Sequence, residues 1–306
     1  MNVSKNLLTL GAVGCIAGAD YVTGAPRGGG GEPESYRNEF HVGIGYARQD
    51  FSDFDYELDT FAVVLGIEHL FDRAQYGGGP WNEADFLDHR LDRFSFDLAI
   101  GSQELTPAID ALLIDLNSEV IFPIPKTPLH MILGVNGGLV DFDSDAADDG
   151  SRLGGEIGLM GYVTDTLLFG GRGGIRDLGE GLLDGTEAQF LLFGKTVLVL
   201  DGGSAFNIEA AAGFEDLQGD AFADSTTILA EGAVDFYPMQ RWSIGGTLGY
   251  AANDDLEDDD LTFGARSKYF FNRLAGGFEV AAAFTPGDED GEEDVIAASA
   301  GLFWRW

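Results

Sequence analysis

The chain has 306 residues, of which 45 are glycine and 12% are aromatic, and its formal net charge is −35. A chain this acidic repels nucleic acid and anionic surfaces, so we predict no nucleic-acid partner. No segment approaches the ~18 consecutive apolar residues of a membrane helix. The glycine and aromatic content favours many short strands over a helical fold.

The N-terminus has the pattern of a secretory signal. The basic residue Lys5 precedes an apolar stretch at 7–17, and Ala17 and Ala19 stand at the two small positions of a signal-peptidase site. We therefore predict that residues 1–19 are a signal peptide.

The only cysteine, Cys15, lies inside this predicted signal. Cleavage after residue 19 would leave a mature chain with no thiol and no disulfide. The alternative is lipid attachment at Cys15, because residues 12–15 loosely resemble a lipobox. Residues 20–37 are rich in glycine and proline and are predicted to be a linker, since they cannot bury a core.

From residue 38 onward, about fourteen segments alternate between apolar and small or polar residues. Each is near the ~9 to 11 residues that a tilted strand needs to cross a bilayer, and twelve strands is the alternative count. The segments follow one another with no room for crossover helices, which predicts an all-β, antiparallel barrel. The predicted strands are 39–49, 55–70, 93–103, 111–122, 129–140, 153–164, 166–175, 187–199, 205–214, 226–237, 241–251, 261–271, 274–284 and 295–306.

The connections between these segments alternate in kind. Longer acidic connections are predicted at 141–151, 176–185, 215–224, 252–260 and 285–294. Short connections are predicted between them, at 123–128, 164–165, 201–204, 237–240 and 271–273. Short periplasmic turns and longer outer loops are typical of outer-membrane barrels.

One connection, 72–90, does not fit this alternation, because it falls on the short-turn side and yet is long. It predicts a helical turn at 83–88, unless the strand count is wrong by one pair.

The last strand carries the most specific signal. In its ending LFWRW, Leu302, Trp304 and Trp306 share one face. This ending resembles the C-terminal strand of bacterial outer-membrane β-barrels, which typically finish on an aromatic residue with apolar residues two and four positions earlier. The resemblance implies a transmembrane barrel over residues 38–306 in the outer membrane. It also implies contact with outer-membrane lipid and recognition of this strand by the barrel-assembly machinery.

The residue types on the second face of the strands indicate whether that face points into the barrel or toward water outside it. Opposite the apolar residues stand mainly glycine, alanine and serine, which suit the inside of a barrel better than a water-facing surface. A few charges share this face and are predicted to line the lumen. They are Arg266, Lys268, Glu279, Glu231, Glu209 and Asp235, which Arg172, Lys195 and Glu156 are expected to join. Such charges either form a constriction that screens solutes or fill the lumen as a salt-bridge network.

Sites for catalysis or metal binding are not supported. Residues 141–145 have Asp-x-Asp-x-Asp spacing, but Ala146 stands where a calcium loop needs glycine and Arg152 where it needs glutamate. None of the four histidines lies in a nucleophile motif; they are His41, His69, His89 and His130. We predict no enzymatic activity, no cofactor and no metal site.

Our first functional hypothesis is a passive, porin-like channel for small solutes. The alternative is a non-conducting structural or surface barrel, similar to the small opacity-type proteins. A third hypothesis is a secreted, soluble, acidic β-protein.

The signal hypothesis predicts that the mature chain starts at Asp20, because the small residues at 17 and 19 direct cleavage after residue 19. Intact-mass analysis of the exported protein checks this. Retention of Met1, or a lipid on Cys15, would contradict it.

Overall fold

The computed structural model describes residues 35–51, 56–75, 80, 83–105, 109–142, 150–179, 185–200, 203–219, 224–253, 258–271, 276–287 and 294–306. These residues form fourteen strands and one short helix. The strands are β1 (Ser35–Phe51), β2 (Tyr56–Gln75), β3 (Arg93–Leu105), β4 (Ile109–Pro123), β5 (Leu129–Phe142), β6 (Gly150–Thr164), β7 (Leu167–Asp177), β8 (Gly185–Val199), β9 (Ala205–Gly219), β10 (Ser225–Met239), β11 (Trp242–Asn253), β12 (Asp258–Phe270), β13 (Gly276–Thr285) and β14 (Val295–Arg305). The predicted count of about fourteen is confirmed, and the alternative count of twelve is wrong.

The strands form one closed antiparallel barrel. Each pairs with its neighbours in the sequence, and β1 closes the ring by pairing with β14, from Glu39 opposite Arg305 to Gln49 opposite Val295. Every one of the fourteen strands therefore has two partners, so the described sheet presents no edge. We call the end of the barrel near Trp306 the turn end and the opposite end the loop end.

The two faces of the wall differ as the sequence predicts. Large apolar side chains on the outer face are about half exposed, as at Ile44 (51%) and Leu248 (50%). The positions between them point inward. An apolar outer surface of this extent is unfavourable in water and favourable against lipid.

The strands run further than predicted, chiefly at the loop end. For example, β9 continues to Gly219 and β12 already begins at Asp258. The cause is that apolar alternation marks only the lipid-facing part of a strand, whereas the hydrogen-bonded ladder continues among polar side chains. At the turn end β1 begins at Ser35, inside the predicted linker. Residues 1–19, most of the linker and most of the acidic connections lie outside the described residues.

The connection between β2 and β3 contains the helix α1 (Ala84–Leu87). The predicted helical turn at 83–88 is thus confirmed, and no strand pair is missing from the count. None of the helical structure in the described ranges is long and apolar enough to cross a membrane.

The C-terminal residues take part in closing the barrel. Leu302, Trp304 and Trp306 lie on the outer face, and the Trp304 ring stacks on Phe40 with the ring centroids 6.2 Å apart. The carbonyl oxygen of Trp306 accepts hydrogen bonds from the backbone N–H groups of residues 37 and 38, at 2.9 and 3.0 Å. The role of these residues as an assembly signal stays a prediction.

Deleting Trp306 is expected to impair membrane insertion more than Trp306→Ser, because deletion also removes the backbone hydrogen bonds that join residues 37 and 38 to this residue. Both changes should impair it far more than Trp81→Ser, which lies in a connection. The measurement is the yield of heat-modifiable protein in the outer-membrane fraction. Equal yields for all three variants would contradict the expectation.

Candidate functional site

The six predicted lumen residues all project inward from four strands of one side of the barrel, β9, β10, β12 and β13. Arg266 and Lys268 lie on β12, Glu279 on β13, and Glu209 on β9. Glu231 and Asp235 lie on β10. The side chain of Glu231 is exposed, whereas those of Asp235 and Lys268 are buried. Whether these residues constrict a solute path stays a prediction.

Arg266 is the centre of an ion-pair network. Its guanidinium group donates two hydrogen bonds to the carboxylate of Asp235, at 2.8 and 2.5 Å, and a weaker one to Glu209 at 3.4 Å. The amide of Asn207 donates to the same two carboxylates, at 3.2 and 2.9 Å. A bidentate contact of this kind fixes the geometry of both partners.

Lys268 and the penultimate residue Arg305 lie nearer the turn end, against aromatic rings. The ammonium group of Lys268 is 3.5 Å from the carboxylate of Glu279 and 4.7 Å from the centre of the Phe303 ring. Arg305 is fully buried and pairs with Glu39 at 3.3 Å. These contacts compensate the desolvation of cations inside the barrel.

The opposite wall carries a second set of ion pairs. Arg172 on β7 contacts Glu156 at 3.5 Å and Glu119 at 3.7 Å, so Arg172 and Glu156 do lie in the lumen as expected. Nearer the loop end, Arg152 pairs with Asp115. Within the described ranges, no three His, Cys, Asp or Glu side chains are placed so as to hold a metal ion.

The connection between β2 and β3 folds back into the barrel. We call its residues 83–92 the plug segment. Phe86 of this segment is buried in an apolar cluster with inward-facing residues of five strands. The cluster consists of Phe86, Leu91, Ile121, Ile132, Met160, Leu168 and Val197. The turn end thus has a hydrophobic core inside the barrel, in addition to the apolar surface outside it.

A buried carboxylate attaches the plug segment to the far wall. Glu83 is only 1% exposed and accepts a hydrogen bond from the hydroxyl of Tyr237 at 2.7 Å. Its other carboxylate oxygen is 2.7 Å from the ammonium group of Lys195. Since β10, which carries Tyr237, is seven strands from β3 in a ring of fourteen, the plug segment crosses the lumen.

Lys195 joins the plug segment to the wall network. Its ammonium group also lies 2.8 Å from Glu209 and 5.5 Å from the centre of the Phe86 ring. Because Glu209 contacts Arg266, a continuous series of ion pairs runs from Glu83 to Asp235.

Two further contacts hold the middle of the plug segment. The hydroxyl of Tyr162 on β6 donates a 2.6 Å hydrogen bond to the carbonyl oxygen of Phe86. The ring of His89 stacks on Tyr162 with the centroids 4.1 Å apart, and its Nε2 atom lies 2.9 Å from the carbonyl oxygen of Asp165. The segment is therefore fixed to several walls of the barrel.

Sequence reasoning did not assign a role to Glu83, Phe86 or Tyr237. The length of 72–90 was the only signal, because an isolated Glu and an isolated Phe in a connection have no periodicity. Lys195 was predicted to face the lumen, but its contact with a connection folded inside the barrel was not foreseen.

Comparisons with known proteins show a similarity in fold to solved β-barrels. No family model matches the chain, and no curated protein sequence matches it. The TodX deltaS2 mutant, a monoaromatic hydrocarbon channel, has a TM-score of 0.56 at 12% identity, covering 90% of this chain and 91% of that one. The Ralstonia pickettii toluene transporter TbuX has a TM-score of 0.54 at 10% identity, covering 89% and 90%. The P. putida toluene transporter TodX has a TM-score of 0.51 at 13% identity, covering 88% and 90%. At these identities the similarity concerns the fold alone.

Arg266→Gln is expected to destabilise the barrel by about 3–5 kcal/mol, because it leaves the buried Asp235 carboxylate without its main partner. Adding Asp235→Asn should restore part of the loss. The control is Arg48→Gln, which removes an exposed pair with Glu57 and should cost no more than about 1 kcal/mol. The measurement is the midpoint of thermal unfolding in detergent. An equal midpoint for Arg266→Gln and the control would contradict the network.

Proposed function

We propose that this chain, a fourteen-stranded β-barrel of the bacterial outer membrane, is a channel for small polar solutes. Solved barrels of the same fold include proteins described as a hydrocarbon channel and toluene transporters, which supports a channel-like barrel in general terms. Those substrates belong to those proteins. The inner surface of the present barrel carries many charged side chains, which favour polar solutes over hydrocarbons.

The observation that carries the proposal is the exposure of charged side chains that point inward. Arg172 is 40% exposed, Asp115 31% and Asp97 30%, although all three lie on the inner face of the wall. Because a charge in a dry interior is costly, exposed inward charges require water beside them. A water-filled space lined by both signs of charge is a suitable path for small polar solutes.

A non-conducting structural barrel is the second candidate, and a specific observation favours it. The plug segment crosses the turn end, and the charges next to it are paired and largely buried. The two candidates differ in what happens when the plug segment is removed: a channel conducts, whereas a structural barrel filled by its own wall residues does not.

Planar-bilayer recording tests the proposal. Wild-type protein should give a small conductance with a mild cation preference, because the strongly acidic chain concentrates cations within a Debye length, ~8 Å at physiological salt. The preference should fall as salt rises. Arg172→Gln should increase it, because this change removes a cation from the water-filled space, whereas Arg48→Gln, on the outer face, should leave it unchanged.

A barrel in which residues 80–92 are replaced by a short Gly-Ser turn provides the decisive control. If the wild type and the barrel with residues 80–92 replaced both insert correctly and neither conducts, the channel proposal is wrong and the structural-barrel candidate replaces it.

A further inference from the structure

The contacts of the plug segment divide into a near set and a far set. The near set lies close to where the segment leaves β2 and enters β3. There the backbone N–H of Phe71 donates to the carbonyl oxygen of Asp92 at 2.9 Å. Nearby, Arg90 pairs with Asp72 at 3.2 Å in an exposed position. These contacts join the segment to the ends of β2 and β3, between which it lies. They need not break when the far part of the segment moves.

The far set is polar and has two parts: the Glu83 carboxylate, and the contacts that Phe86 and His89 make with Tyr162 and Asp165. Glu83 contacts both Lys195 on β8 and Tyr237 on β10, at 2.7 Å in each case. Phe86 also packs on the apolar cluster. The segment is thus joined to the ends of β2 and β3, is held in its middle by the apolar cluster and by Tyr162, and has a charged attachment on the far wall.

We infer that the plug segment is the gate of the channel, and that the Glu83 carboxylate, held by Lys195 and Tyr237, is the latch that keeps it closed. This inference rests on the proposed channel function, since a gate has meaning only where solute passes. Glu83 is a positioning residue in this account: it holds the segment across the lumen and need not touch the solute.

The chemistry of the latch favours two discrete states. A carboxylate that is 1% exposed is stable only while its partners are in place, so partial withdrawal leaves a desolvated charge. Complete withdrawal returns the carboxylate to water. A charged latch therefore has a closed and an open position with unfavourable positions between them.

The charged side chains of the wall keep other partners when Glu83 leaves. When Glu83 leaves, Lys195 keeps its 2.8 Å contact with Glu209, so the cation remains paired. Glu209 is in turn held by Arg266. Opening therefore leaves no isolated charge at this position on the inner wall, which limits the free energy of the open state.

The test combines a conductance measurement with a separate measurement of plug position. All variants carry Cys15→Ser, so that Ala84→Cys is the only thiol. Ala84 is 2% exposed and packs against Tyr36, Leu70 and Ala74 of β1 and β2, so a membrane-impermeant maleimide should reach it only when α1 leaves this cluster as the plug segment withdraws. The latch variants are Glu83→Gln, which removes the charge, and Tyr237→Phe, which removes one hydrogen bond and keeps the charge. The matched control is Glu57→Gln, an outward-facing carboxylate paired with Arg48.

In full-length protein reconstituted into bilayers, both latch variants should raise the labelling rate and the open probability together, by about tenfold for loss of a charge-assisted hydrogen bond. Glu57→Gln should match the parent in both measurements. If Glu83→Gln fails to insert, Tyr237→Phe decides, because it keeps the paired charges and changes a single oxygen atom.

Two results overturn the gate while leaving the channel intact. In one, the latch variants label and conduct like the parent although the barrel with residues 80–92 replaced conducts well. In the other, labelling rises without any rise in open probability. Failure of the channel itself has a different signature, because the barrel lacking the plug segment would then be silent whatever the labelling shows.

Discussion

The structure depends on one constraint: a backbone surrounded by lipid has no water to bond, so each N–H and C=O group must find a partner within the protein. The pairing of β1 with β14 meets this constraint by closing the ring. Closure gives every strand one face toward lipid and one toward the lumen. It also explains why apolar residues recur at every second position for most of the chain.

A closed ring also encloses charged side chains. These have limited access to water and therefore need partners within the protein. This barrel pairs them in two networks on opposite walls, centred on Arg266 and Arg172. The plug segment extends the first network across the lumen through Lys195 and Glu83. The plug segment at the turn end and the wall around Arg266 therefore belong to one connected set of ion pairs.

Much of this architecture could be predicted from the sequence, because lipid enforces a period of two on each strand. The predicted inner positions of Arg266, Lys268 and Glu279 follow from that period alone. The sequence does not predict how far each strand extends beyond the lipid or which inward-facing charges form pairs. Those pairs depend on the register of strands that are distant in the sequence. Glu83 is the clearest case: its partner Tyr237 is 154 positions away in sequence, and no local pattern links them.

Hydrogen–deuterium exchange on the intact barrel tests most directly whether the plug segment closes the turn end from inside. Peptides covering 83–92 should exchange slowly, with protection between that of the strands and that of the exposed connections, and Glu83→Gln should lower this protection by about tenfold while β6, β8 and β10 keep theirs. If the wild-type segment exchanges as fast as an exposed connection while the strands stay protected, the segment does not lie within the barrel and does not close the turn end.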